Sequence, residues 1–96
     1  MDAKELKELH GRILKIEPWP QTRSGRLKAT TQHNQWKVVL ASPGLAVLTS
    51  TETPHRLTID AGRILGLRAP DYLRLDGQLV VEGEKATLEP LVAKRP

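Results

Sequence analysis

The chain has 96 residues, with 15 Lys and Arg against 11 Asp and Glu, giving a formal net charge of +4. That length suits one domain with a single hydrophobic core. The absence of cysteine excludes a disulfide framework and a thiolate metal site, and no apolar run approaches the roughly 20 residues of a membrane-spanning helix.

The apolar content is aliphatic, because phenylalanine is absent and only Trp19, Trp36 and Tyr72 are aromatic. Charge is unevenly spread: residues 1–40 carry eight Lys or Arg against four Asp or Glu, whereas residues 69–96 carry four against five. A basic N-terminal half can steer a polyanion to one face. The N-terminus is charged and lacks the apolar core of a signal peptide, so the expectation is a soluble, cytoplasmic protein with no membrane partner.

Residues 1–10 read as a short helix of good helix formers, with Leu6 and Leu9 on one face and Gly11 as its stop. The period then changes to two. Leu14 and Ile16 share one side of a strand, and Pro18 and Pro20 end it because neither can donate to a ladder. Ser24-Gly25 marks a turn, with Leu27 and Ala29 on one face of the run after it. Trp36, Val38 and Leu40 alternate in a run with apolar residues on both faces, which predicts a central strand.

Pro43-Gly44 separates that run from short strands at Leu45–Ser50 and His55–Asp60. Ala61 to Leu67 reads as a helical turn with Asp60 as N-cap, kept short by Gly62 and Gly66. Leu73, Leu75, Gly77, Leu79 and Val81 share one parity. A hairpin at Asp76-Gly77 competes with one long strand from Tyr72 to Val81, and the unbroken parity favours the long strand with Gly77 facing inward. Glu82 to Lys85 turns the chain into a last strand, Ala86 to Val92, before a frayed tail at 93–96. The prediction is mainly β: a small, OB-like β-barrel of five to seven strands over residues 11–92, preceded by a short N-terminal helix.

Gly11-Arg12-Ile13-Leu14, a proline, and Ser24-Gly25 leading into a second strand form one pattern. Tyr72-Leu73-Arg74-Leu75-Asp76-Gly77-Gln78-Leu79 and the final hairpin ending Ala86-Thr87-Leu88-Glu89 form another. Together they resemble OB-fold domains of the single-stranded-DNA-binding and primosomal PriB-like kind. The chain departs from those domains where Ala69-Pro70-Asp71 stands in place of Gly-Asp. The resemblance implies binding of single-stranded DNA or RNA along the second and third strands and adjoining loops, with homodimerisation as a way to lengthen the track. It would place Trp19, Arg23, Arg26, Lys28, Trp36 and Lys37 on or near the nucleic-acid face.

The residues themselves carry a similar expectation. Bases stack on rings while phosphates meet cations, and Arg23, Arg26 and Lys28 straddle one turn. Trp19 lies between two prolines in a loop, whereas the alternation of Trp36 with Val38 and Leu40 points toward the core. The rival reading is a protein-interaction module, such as an accessory subunit, inhibitor or adaptor, that uses an exposed β edge.

Catalysis and cofactors find no support. His10, His33 and His55 lack metal-ligand spacing, and Gly62-Arg63-Ile64-Leu65-Gly66 lacks the ending of a phosphate loop. The expectation is a non-catalytic binding module with no cofactor and no metal.

Overall fold

The computed structural model describes residues 2–22 and 34–90. Among these residues one α-helix forms, α1 (Ala3–Lys7), started by a capping box. The Asp2 carboxylate accepts from the Glu5 N–H at 2.8 Å, and the Glu5 carboxylate accepts from the Asp2 N–H at 3.0 Å. A helix this short does not persist alone. It is held by Leu6 and, just past its end, Leu9, both buried against the sheet. Gly11 turns the chain at φ +80°, and its N–H donates to the Val38 carbonyl at 2.8 Å.

Nine strands follow among the described residues: β1 (Ile13–Glu17), β2 (Gln21–Thr22), β3 (Trp36–Ser42), β4 (Leu45–Ser50), β5 (Arg56–Ile59), β6 (Ile64–Arg68), β7 (Tyr72–Leu75), β8 (Gln78–Glu82) and β9 (Lys85–Glu89). Six of them form one sheet in the order β5-β4-β3-β1-β7-β6, and three form a second, β2-β8-β9. Neighbours are antiparallel except for two parallel pairs, β1 with β7 and β2 with β8.

The parallel pairs share one origin. Residues 13–22 bend at Pro18–Pro20 and pass from the large sheet into the small one, and residues 72–82 do the same at Asp76-Gly77. The expected strand from Tyr72 to Val81 is thus interrupted but never reversed. A hairpin at Asp76-Gly77 is overturned, because β7 and β8 both run parallel to the same N-terminal stretch. Gly77 makes the joint at φ +143° and is buried.

Two further expectations are corrected. Only Ala61–Arg63 forms the helical turn, as a 3-10 turn whose Gly62 N–H donates to the Asp60 carboxylate at 2.7 Å. The rest of that predicted turn is β6, because Ile64 gains more by burial opposite Leu75 than a Gly-flanked helical turn offers. The last strand starts at Lys85 rather than Ala86 and runs to Glu89 among the described residues, and Leu91 and Val92 of the expected strand lie outside them. The Ser24-Gly25 turn, the run from Leu27 and the tail at 93–96 lie outside the described residues.

The core follows the period-two reading. Leu14 and Ile16 of β1, Trp36 and Val38 of β3, and Leu73 and Leu75 of β7 all point inward and are buried. A closed barrel is not formed among the described residues, where β5 and β9 pack side by side without a shared ladder.

Side chains bridge that seam instead. At one end His55 Nε2 donates to the Gly83 carbonyl at 2.7 Å while Nδ1 accepts from the Thr53 hydroxyl at 2.6 Å. A carbonyl can only accept, so this geometry fixes the ring tautomer. At the other end Arg63 donates to the carbonyls of Leu88 at 3.2 Å and Asp76 at 2.7 Å. No helix among the described residues is long and apolar enough to cross a membrane.

Candidate nucleic-acid interface

The inward set of each strand fixes what the opposite face shows. Beside buried Leu14 and Ile16, β1 turns Ile13, Lys15 and Glu17 outward; beside Leu73 and Leu75, β7 turns out Tyr72 and Arg74. Cross-strand register assembles these into rows. Lys15 lies opposite Tyr72, which lies opposite Arg68 of β6, and Glu17 lies opposite Arg74. Toward the other edge Ile13 lies opposite Lys37, then Thr49, then Arg56. Five cations from five different strands therefore share one outer sheet face: Lys15, Lys37, Arg56, Arg68 and Arg74.

The centre of this face is ordered by specific bonds. The Lys15 ammonium sits 3.3 Å from the Asp71 carboxylate and 5.7 Å from the centre of the Tyr72 ring. The Arg68 guanidinium lies 4.7 Å from the same ring centre. It also grips Glu17 through two bonds, Nε to Oε1 at 2.9 Å and Nη2 to Oε2 at 2.8 Å. Lys37, Arg56 and Arg74 make no ion pair among the described residues, and all three are exposed. Ile13 and Val39 stand among them, 51% and 49% exposed.

The hydrogen bond from Arg68 holds the Glu17 carboxyl below the ordinary glutamate value, with some opposition from desolvation. A lowered folded-state value means the pair contributes above the ordinary glutamate range and is lost as pH falls through the lowered one. Arg68→Ala is expected to move the Glu17 titration up toward the ordinary value, read by NMR of the side-chain carboxyl. An unmoved midpoint would show that the fork does not govern this charge.

Of the residues expected on the interface, Lys37 is on this face and exposed. Trp19 is half-buried beyond the end of β1; its carbonyl accepts from Gln78 Nε2 at 2.6 Å, and its buried indole N–H has no acceptor among the described residues. The interface role for Trp36 is corrected, because the ring is 1% exposed and packs in the core opposite Leu14 and Ser50. A side chain so enclosed offers no face to a base. Arg23, Arg26 and Lys28 lie outside the described residues, which the chain leaves after Thr22 and re-enters at Asn34.

Sequence reasoning missed Tyr72, Lys15, Arg68 and Arg74 as a group. A signal was present: Tyr72 and Arg74 have the parity opposite to Leu73 and Leu75, so a strand there had to present them together. Of the histidines, His10 accepts from the Ala41 N–H at 2.8 Å and His55 bridges the seam, so both have structural partners. Among the described residues no three His, Asp or Glu side chains gather as a metal ion would require.

Chemically, this face offers guanidinium and ammonium groups spread across a sheet around one ring. A phosphate can take the place of the Glu17 carboxylate in the Arg68 fork, since both anions suit its two parallel donors. Comparison of the chain with protein-family models, curated proteins and solved structures gave no match.

Proposed function

We propose that the protein binds single-stranded nucleic acid, without catalysis, on the outer face of the six-stranded sheet. One observation carries this reading: Lys15, Arg68 and Arg74 gather beside Tyr72, and Lys37 and Arg56 continue the same face toward the β5 edge. Phosphates run along the cations, and Lys37, Arg56 and Arg74 meet them first because no carboxylate among the described residues forms an ion pair with them. Arg68 follows by exchanging Glu17 for a phosphate, which uncovers the Tyr72 ring for a base. Trp19 and the basic run Arg23, Arg26 and Lys28, the three cations lying outside the described residues, belong to the same proposed function.

The fold reading that accompanies this function is an opened OB-like barrel. It is supported by two long strand paths that pass from one sheet to the other and by β9 packed along β5. Binding of this kind is largely independent of sequence and weakens steeply with salt, because each neutralised phosphate releases counterions.

The test is fluorescence anisotropy of a labelled deoxythymidine oligonucleotide over a salt series. The double variant Lys37→Glu/Arg74→Glu is expected to bind at least about 100-fold more weakly at low salt, and to flatten the salt dependence by two phosphate contacts. Both positions are exposed, so the fold is retained. Wild-type affinity in the variant, or an affinity indifferent to salt, would overturn the proposal.

A further inference from the structure

We infer a second binding surface at the open edge of β6, one that takes an extended peptide with alternating cationic and anionic side chains as an added strand. β6 ends the six-stranded sheet and, among the described residues, pairs only with β7. Every second residue therefore turns its N–H and C=O away from the sheet, with no partner among the described residues. Edges are commonly protected by charged side chains, proline, a β-bulge or a covering element, and of these β6 has one bulge and Arg68 at its end. Ile64–Arg68 contains neither lysine nor proline, and it exposes Leu65 by 53% and Leu67 by 40%. The register shift between Ile64 and Gly66 throws Leu65 outward and leaves Leu67 and Arg68 regularly paired.

Two hollows flank this edge, one of about 400 Å³ and one of about 390 Å³, and Leu65 borders both. The first lies toward α1 and holds Glu5, Glu8 and Arg12; the second lies toward the outer face and holds Glu17, Arg68 and Arg74. The first is net acidic. The second is net basic, and because Arg68 already engages Glu17, Arg74 is the charge left to meet a ligand.

Successive side chains of a strand point to opposite faces, so a strand added at β6 sends alternate residues into the two hollows. Cations belong on the α1 side and anions on the Arg74 side, with an apolar residue against Leu65 and Leu67. A second copy of β6 does not meet this requirement, because Ile64-Leu65-Gly66-Leu67-Arg68 carries one charge.

The test titrates the isotope-labelled full chain with the capped peptide Thr-Lys-Glu-Leu-Glu-Lys-Thr, followed by NMR. Saturable shifts and slowed amide exchange are expected at residues 64–68. The same peptide N-methylated at alternate positions, which removes the ladder donors, is expected to bind at least about tenfold more weakly. The double variant Glu5→Lys/Glu8→Lys should weaken the unmodified peptide by a similar factor, about tenfold.

Absence of saturable change, equal binding by the N-methylated peptide, or shifts confined to other strands would overturn the inference. Protection of residues 64–68 that grows with protein concentration alone would also overturn it, by assigning the edge to a second copy. So would perturbation of that edge by an oligonucleotide and not by the peptide. Peptide binding does not rest on the nucleic-acid reading, and either can fail while the other stands.

Discussion

Gly77→Ala is expected to lower stability by roughly 3–5 kcal/mol, combining backbone strain with overpacking. Gly77 is buried at φ +143°, a region that side chains of L-residues rarely enter. A Cβ there would stand 2.6 Å from the Glu89 carbonyl oxygen and 2.8 Å from Arg63 Nη2. The carbonyl belongs to β9, which is laddered to β8 and cannot swing aside as a flexible side-chain tip would. Arg63 is no freer, because the same guanidinium bridges the Leu88 and Asp76 carbonyls. The substitution thus strikes the joint between the sheets and one end of the seam together. Chemical denaturation checks it, and a loss below about 1 kcal/mol would show that the joint relaxes at little cost.

Asn34→Leu is expected to cost about 2–5 kcal/mol by stranding two buried backbone groups. The Asn34 side chain is wholly buried and substitutes for a ladder partner of Ile16. Its Oδ1 accepts from the Ile16 N–H at 3.0 Å, and its Nδ2 donates to the Ile16 carbonyl at 3.0 Å. Leucine keeps the branched outline but offers neither bond and leaves no cavity. Asn34→Asp separates the two halves of the pair. It keeps an acceptor for the N–H but sets a carboxylate oxygen against the Ile16 carbonyl. Its deficit should shrink in acid, as the carboxyl regains a proton to donate. Equal stability of Asn34→Leu and the unmodified chain would contradict this role.

Local alternation was the most legible part of the fold. The buried sides of β1, β3 and β7 follow from the spacing of Leu14 and Ile16, of Trp36 and Val38, and of Leu73 and Leu75. The uninterrupted direction from Tyr72 to Glu82 was legible for the same reason, because one parity runs through Gly77. The interior use of Asn34 was not, since a polar run reads as solvated and nothing local announces that a side chain will replace a strand.

The parallel pairing of β1 with β7 was equally hidden. It joins residues such as Glu17 and Arg74 that only the completed sheet brings together. The candidate interface inherits that limit. Lys15, Tyr72, Arg68 and Arg74 have ordinary strand-surface neighbours in sequence, and their convergence is a property of register. Reading aromatic and basic residues from one contiguous stretch therefore favoured Trp36, which the same alternation sends inward.

The most direct measurement is an NMR titration of the isotope-labelled chain with a deoxythymidine oligonucleotide, following backbone amides together with the Tyr72 ring and arginine side chains. The expected result is a continuous perturbed surface over Lys15, Lys37, Arg56, Arg68, Tyr72 and Arg74, with the Arg68 side chain shifting as Glu17 is displaced. Saturable binding that leaves those residues unmoved and perturbs another surface would contradict the assignment of the outer sheet face as the nucleic-acid interface.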